Sequence, residues 1–395
     1  MSSATRPEIL GGSTTAFGRR RDGSGWRDWV CEAARDALAD AGLEAKDVDA
    51  LVVACESEVM ALQLTPGSII VDDLGLTPRE VVRVESGGAS GASAVRHAFI
   101  HIASGLARRV LVVGFEHAAS HLAGDDVRLL YGLSFDADME GIAGVTATAL
   151  YALSINLHMQ RHGTTREQMA HVSVKNHGNA RFNPLAHKPM AIGVEDVLAS
   201  PVVSTPYGRL DCSPLSDAAA AIVIAAPGQG PDSDGPRVRI AGSGCATDYA
   251  RLGDRAEPHS FAAKARASAI AYEMAGIASP ADDVDVAEVY DPFTGAEIQS
   301  IEALGFAGDG EAGPAMAAGD FDAGGRLPVN LSGGLIGQGG APGASGIAQT
   351  LAVDRILRGT YWPEAQPSRE LRRGVVDTHG GICTTSVVHV LERMG

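Results

Sequence analysis

Two glycine-rich stretches in opposite halves of the chain nearly repeat each other. Residues 87–95 read GGASGASAV and residues 339–347 read GGAPGASGI, so that six of nine positions match. Each stretch follows a short run typical of a strand, at residues 81–86 and 328–332. Each also opens a run with apolar residues at i, i+3, i+4 and i+7, the spacing of one helix face. The repeat therefore predicts a duplicated α/β unit in which two helix N-termini can converge on one site.

The first half alternates between helix-like and strand-like runs. A helix is predicted over residues 33–41, and strands over residues 50–54 and 110–114. Alternation of this kind predicts a mostly parallel sheet with helices on both faces.

Two segments interrupt the pattern and define the expected domains. Residues 118–210 are rich in His, Arg, Asn and Pro and have weaker strand signals, so they are interpreted as an inserted loop domain. Residues 227–236 read PGQGPDSDGP, which is typical of a linker. The expected division is an N-terminal half over residues 1–227 and a C-terminal half over residues 237–395.

Composition excludes several classes of function. The 395 residues carry a net charge of −16, which disfavours nucleic acid as a partner. No apolar run is long enough to span a membrane, and the N-terminus lacks the apolar core of a signal peptide, so a cytoplasmic protein is expected. The five cysteines show no CxxC or Cys/His ligand spacing, which argues against disulfides and against a metal site.

The two glycine turns resemble those of the thiolase superfamily. The first family turn normally reads Cys-Ala-Ser-Gly, and residues 88–91 read Gly-Ala-Ser-Gly. The second normally reads Gly-His-Pro-x-Gly-Ala-(Ser/Thr)-Gly, and residues 339–346 read GGAPGASG. Gly88 therefore stands at the position of the family's nucleophile, and Gly340 at that of its catalytic histidine. The resemblance implies a thiolase scaffold that cannot perform ordinary thiolase chemistry.

Further segments resemble the family along nearly the whole chain. They are VLVVGFEH at 110–117, EVYDPFTGAE at 288–297, VNLSGG at 329–334 and THGG at 378–381. The Tyr-Asp-x-Phe-Thr form of the second segment is most similar to sterol-carrier-type thiolases and to thiolase-like steroid side-chain-cleaving aldolases.

The resemblance implies an α/β architecture: a thiolase-like duplicated αβαβα five-layer fold with an inserted loop domain. It also implies a homodimer and a small OB-fold partner, often bearing a zinc ribbon. Coenzyme A is expected as part of an acyl-CoA substrate, with no tightly bound cofactor and no metal.

Four residues are the candidates for catalysis. Tyr290 stands where related enzymes carry an Asn or His beside the oxyanion, and a phenol can donate a hydrogen bond to an enolate or take a proton. Asp291 is expected either to orient Tyr290 or to cap the helix that begins near Thr294. His379 is a natural acid or base. Tyr249 lies in a segment similar to one that carries a catalytic tyrosine in the steroid aldolases. The alternatives are a core tyrosine at a strand end for Tyr290, a surface-loop tyrosine for Tyr249 and a turn-capping histidine for His379.

The expected substrate-binding residues are backbone positions in the conserved turns: Gly88, Gly340, Ser332, Gly333 and Gly381. Gly88 and Gly340 are interpreted as opening room for a bulky substrate, although glycine also simply permits a tight turn. A Tyr151→Phe change, in the inserted region, is expected to be nearly silent.

Loss of both catalytic residues from two intact motifs favours a reaction that needs a thioester enolate but no acyl-enzyme. Retro-aldol cleavage of a β-hydroxyacyl-CoA, yielding a shorter acyl-CoA and a ketone or aldehyde, is such a reaction. The similarity to the steroid aldolases implies a polycyclic substrate. Two alternatives remain: a non-catalytic lipid or acyl-CoA carrier, and a partner-dependent C-acyltransferase.

Overall fold

The computed structural model describes residues 6–20, 22–231 and 235–394. Its strands, in chain order, are β1 (Glu8–Thr14), β2 (Ala50–Ala54), β3 (Glu80–Val84), β4 (Arg109–Glu116), β5 (Val202–Ser204), β6 (Tyr207–Gly208), β7 (Ala218–Ala225), β8 (Arg237–Thr247), β9 (Val286–Glu288), β10 (Arg373–Gly380) and β11 (Thr385–Met394). Nine of them form one sheet in the order β3-β2-β4-β7-β1-β8-β11-β10-β9, and β5 and β6 form a separate hairpin.

The helices lie between and around these strands. In chain order they are α1 (Trp26–Asp40), α2 (Glu58–Ala61), α3 (Pro66–Asp73), α4 (Ser90–Ala103), α5 (Gly124–Gly132), α6 (Ala147–His162), α7 (Arg166–Ala180), α8 (Val194–Leu198), α9 (Ala262–Ala275), α10 (Pro280–Asp283), α11 (Thr294–Ala303), α12 (Ala312–Ala317), α13 (Gly334–Gly337) and α14 (Pro342–Arg358). Within the ranges described, no helix is long and apolar enough to cross a membrane.

The sheet is mixed, so the expectation of a mostly parallel sheet is wrong. Only β2–β3, β2–β4 and β9–β10 pair in parallel. The remaining five pairings are antiparallel. One reason is local: β10 and β11 are joined by only four residues, 381–384, which suits a hairpin and is too short for the crossover that parallel strands need.

Side-chain alternation along the strands divides the molecule into five layers, which confirms the αβαβα prediction. Val52 of β2 packs in the cluster that surrounds α4 and α14, whereas its neighbour Leu51 packs in the cluster around α1 and α3. In the second half, Val376 of β10 faces the same central helices, and Val375 faces α9 and α11. Helices α4 and α14 therefore form the central layer, with half of the sheet on each side.

The glycine repeat is explained by contact between its two copies. A Cβ atom on Gly91 of α4 would lie 2.8 Å from the Gly343 carbonyl oxygen and 3.0 Å from the Gly346 nitrogen. A Cβ on Gly346 of α14 would lie 2.4 Å from the Ala92 nitrogen. Real Cβ atoms do not approach so closely, so only glycine lets the two helices begin side by side. The structure therefore confirms that the two N-termini converge.

The structure also tests the predicted strand at 328–332 and the predicted inserted region at 118–210. The strand expected at 328–332 is reduced to a single bridge between Val329 and Ala287. Residues 118–210 carry helices α5 to α8 and the β5–β6 hairpin, and their described part contributes no strand to the large sheet. Helices α5 and α6 line a cavity near the end of β10.

Candidate active site

A cavity of about 300 Å³ lies where α4 begins, beneath α5 and α6 of the inserted region. Five of the residues expected in the site line it: Tyr290, His379, Gly88, Gly340 and Gly381. Its remaining wall is largely apolar and aromatic, with Phe135, Tyr151, Phe293, Leu215 and Leu335 among the lining residues. A concave, mostly apolar site with a few converging polar groups is typical of small-molecule binding.

Tyr290 occupies the space that a side chain at residue 88 would need. A Cβ atom on Gly88 would lie 2.5 Å from the Tyr290 hydroxyl oxygen and 2.5 Å from the His379 carbonyl oxygen. The interpretation that Gly88 opens room for substrate is therefore wrong, because the phenol fills that room. Gly340 differs: a Cβ there would meet its nearest neighbour, the Pro214 carbonyl, at an ordinary 3.4 Å. The space at the lost histidine position is still available.

This difference makes a prediction for folding stability. Gly88→Ala should lower the free energy of unfolding by about 1–3 kcal/mol, since the added methyl overpacks a site bounded by backbone. Gly340→Ala should leave it close to that of the wild type. Urea unfolding of both variants tests the expectation, and equal stabilities would show that the backbone around residue 88 yields easily.

His379, at the end of β10, is held by a buried chain of polar groups. The Lys264 ammonium donates to Oδ2 of Asp377 at 2.5 Å, to Oγ of Ser300 at 2.5 Å and to Nδ1 of His379 at 3.1 Å. On the other side of the ring, Nε2 lies 2.7 Å from the Tyr151 hydroxyl. Because Nδ1 accepts from the ammonium, Nε2 carries the proton and donates to Tyr151.

Tyr151 completes the chain by donating to the Gly381 carbonyl at 2.7 Å. The pKa of His379 is lowered well below its usual value by burial and by Lys264 and Arg255, so the ring is neutral with both nitrogens in use. It is therefore a fixed dipole rather than a free base. Tyr151 is buried and lines the cavity, so a Tyr151→Phe change is no longer expected to be silent.

Two predicted residues hold the scaffold instead of facing the cavity. Asp291 accepts from the Leu335 and Ile336 amides at 2.6 and 3.3 Å and from the Asn176 amide at 2.7 Å. It thus caps α13 and neither orients Tyr290 nor caps the helix at Thr294. Ser332 donates to the Glu288 carboxyl at 2.5 Å and is fully buried.

Two more lie away from the site. Gly333 packs on α7, where an added Cβ would lie 2.7 Å from the Ala180 methyl group. Tyr249 follows β8 and is 65% exposed, so the structure does not bring it into the cavity. The side chain faces solvent, and the backbone carbonyl accepts a hydrogen bond from Arg255. Both observations agree with the alternative of a surface-loop tyrosine.

Glu56 and Tyr131 are among the polar residues of the cavity wall that the sequence interpretation missed. Glu56 lies two residues beyond the end of β2, at the carboxyl end of a parallel strand pair, which is where α/β proteins place functional groups. That position was a usable signal. Tyr131 lies on α5, and its phenol is near enough to the Glu56 carboxyl to lower the pKa of Glu56. No local pattern marked it.

Comparison with known proteins agrees with this geometry. Residues 8–191 match the model of the thiolase N-terminal domain, and residues 244–393 match that of the thiolase C-terminal domain-like family. The chain is 37% identical to an acetyl-CoA acetyltransferase of Methanothermobacter thermautotrophicus, over 98% of this chain and 99% of that one. It is 30% identical to sterol carrier protein 2 of Gallus gallus, over 89% of this chain and 65% of that one.

Among solved structures, the Ltp2-ChsH2(DUF35) aldolase matches with a TM-score of 0.83 and 26% identity, covering 98% of both chains. The two domain matches, the two relatives and the fold all indicate the same family. This chain belongs to the thiolase superfamily, as a sterol-carrier-like member in which glycine stands at the positions of the catalytic cysteine and histidine.

Proposed function

We propose that this protein is an acyl-CoA-acting carbon–carbon lyase that cleaves β-hydroxyacyl-CoA thioesters by a retro-aldol reaction. One observation carries the proposal: the Tyr290 hydroxyl takes the place of the nucleophile at the start of α4, 2.5 Å from where a Cβ of residue 88 would be. A phenol there cannot form a thioester with the acyl group. It can donate a hydrogen bond to the thioester oxygen.

The electrostatics of Tyr290 fit a donor. Burial, with the nearby carboxyls of Glu56 and Glu116, raises the pKa of Tyr290 well above its usual value, so the hydroxyl keeps its proton at neutral pH. As the Cα–Cβ bond breaks, negative charge develops on the thioester oxygen. A fixed donor in a site shielded from water stabilises that charge by several kcal/mol. Tyr290 is thus proposed as the enolate-stabilising residue, with His379 and Tyr151 holding the cavity wall that faces it.

The comparisons lend support of two kinds. The structural relative at 26% identity is described as an aldolase, which supports a lyase. The 37% identical relative is named an acetyltransferase, which favours a C-acyltransferase as the second candidate. For this chain, acyl transfer would need a nucleophile other than the residue at 88.

Substrate size and partners belong to the same proposal. The space left at Gly340 supports a bulky β-substituent, of which a steroid ring system is one example. The name of the aldolase relative includes a DUF35 protein, which supports a small OB-fold partner. The family resemblance supports a homodimer.

The test is an assay of C–C cleavage with β-hydroxyacyl-CoAs of increasing bulk, before and after alkylation with iodoacetamide. Cleavage should survive alkylation, because none of the lining residues that the structure describes is a cysteine, and burial raises the pKa of both Cys55 and Cys383 to about 12. Such thiols react slowly. Inactivation that acyl-CoA prevents, mapped to one cysteine, would contradict the lyase and favour the acyltransferase.

A further inference from the structure

Glu56 stands between two cavities. It lines the cavity that holds Tyr290, and it also lines a neighbouring cavity of about 530 Å³ bounded by α2, α5 and the turn at Gly87. Ser134 and Gly381 are the other residues shared by both walls. The second cavity reaches the surface, since Val59 and Leu133 in its wall are each more than half exposed. Glu56 therefore lies between the reaction cavity and a second cavity that opens at the surface.

Two polar atoms at this point have no hydrogen bond of good geometry within the described chain. They are Oε2 of Glu56 and the hydroxyl of Tyr131, and both are inaccessible to solvent. The Tyr131 phenol lies beside the Glu56 carboxyl and lowers its pKa as a hydrogen-bond donor, but neither atom has a well-aligned partner among the described residues. Buried polar atoms are normally well paired, so these two can still bind a third group. A substrate hydroxyl fits this pair, because it can donate to the carboxylate and accept from the phenol at the same time.

Burial and neighbouring charged groups shift the pKa values of Glu56 and of the nearby Glu116. Burial and the Glu85 carboxylate raise the pKa of Glu56 to about 7, while Tyr131 acts in the opposite direction. Glu116, on β4, is also near, and its Oε2 accepts from the amides of Glu56 at 3.2 Å and of Gly343 at 3.1 Å. Burial and the nearby Glu56 raise the pKa of Glu116 well above its usual value, which favours the protonated form of that carboxyl.

Neither His379 nor Tyr290, the other two candidates in the site, is free to accept a proton. Both ring nitrogens of His379 are hydrogen-bonded, and Tyr290 keeps its proton. Glu56 is the remaining group among them that can accept a proton at neutral pH.

We propose that Glu56 and Tyr131 form the subsite for the β-hydroxyl of the substrate, with Glu56 as the base of the cleavage; this rests on the lyase function proposed above. Glu56 takes the hydroxyl proton, and the O–H electron pair forms the carbonyl of the ketone or aldehyde. The Cα–Cβ pair moves to the thioester as an enolate held by Tyr290. Glu56 then returns the proton to Cα, so the cycle closes without a further reactant.

Turnover tests the base. Wild-type kcat/KM should rise with pH to a plateau through about pH 7, because only the ionised carboxylate accepts the proton. In the Glu56→Gln variant kcat/KM should no longer rise with pH through this range. Its kcat should fall by at least about 10²-fold with little change in KM. Glu58→Gln is the matched control: two residues away, it pairs with Arg83 and lies outside the cavity, so it should keep the wild-type profile. A Glu56→Gln variant that cleaves with an unchanged pH profile overturns the proposal while the lyase stands.

Binding tests the subsite whether or not cleavage is seen. The probes are (1-hydroxycyclohexyl)acetyl-CoA and cyclohexylacetyl-CoA, which differ by one hydroxyl. The Glu56→Gln variant can still accept a hydrogen bond. It should therefore bind the hydroxy compound about 10-fold more tightly than the compound without the hydroxyl, as expected for one or two hydrogen bonds. Glu56→Leu and Tyr131→Phe should lose most of this preference. The same preference in Glu56→Leu as in Glu56→Gln would place the hydroxyl elsewhere and overturn the subsite, even if the wild type cleaves its substrate.

Discussion

Removing the hydroxyl of Tyr290 is expected to abolish most turnover while the protein stays folded. Tyr290→Phe keeps the ring that packs edge-on against His379 at a centroid distance of 4.9 Å. It deletes only the donor proposed for the enolate, so kcat should fall by about 10²-fold or more with little change in acyl-CoA affinity. Steady-state kinetics with the best substrate of the cleavage assay would measure the loss.

The matched control is Tyr272→Phe. Tyr272 is also buried, but on the outer helix α9, where its hydroxyl donates to the Leu304 carbonyl at 2.9 Å. Losing that bond should cost about 1 kcal/mol of stability and leave kcat unchanged. If the two variants are equally active, Tyr290 is a packing residue, and the stabilisation of the enolate has to come from other donors.

The largest loss of stability is expected from Lys264→Met. Lys264 and Asp377 are both fully buried and lie 2.5 Å apart. The substitution leaves Asp377 without its counter-charge and Nδ1 of His379 without its donor, and breaking such a pair costs about 3–5 kcal/mol. Burial already raises the pKa of Asp377, and loss of Lys264 raises it further. The destabilisation should therefore grow from pH 5 to pH 8, because the neutral acid is easier to bury than the carboxylate.

Lys46→Met provides the comparison on the surface. Lys46 pairs with Glu44 at 2.7 Å, but the side chains are 73% and 72% exposed. Exposed pairs contribute little to stability, so urea unfolding should hardly change. Comparable losses at the two positions would mean that the Lys264 network contributes no more than a surface pair.

The sequence predicted the fold wherever local pattern and packing agree. Residues 50–54 form the expected strand because an unbroken apolar run suits a strand buried on both faces. The antiparallel strands in the middle of the sheet escaped prediction, since β1 pairs with β7 and β8 across about two hundred residues of chain. Pairing over such distances leaves no local signal.

The site was predictable where motifs mark it. Tyr290, His379 and the three glycines of the cavity were found through their turns, whereas Asp291 and Ser332 have the same motifs but turn into the scaffold. Tyr151 meets His379 although 228 residues separate them, so only the folded chain reveals the contact. The motif therefore identifies a segment, and packing decides which of its side chains reaches the cavity.

The interlocking start of α4 and α14 has a mechanical consequence. Backbone atoms of the two helices are in direct contact at Gly91, Gly343 and Gly346, with no side chain between them. Close-packed contacts of this kind do not stretch gradually, so the two halves of the molecule cannot hinge apart to admit a ligand. A ligand is instead expected to enter beside α5 and the segment that follows it, which line the cavity. Ligand entry and chemistry are therefore expected at different parts of the chain: entry at α5 and the segment after it, and chemistry at the rigid start of α4 and α14.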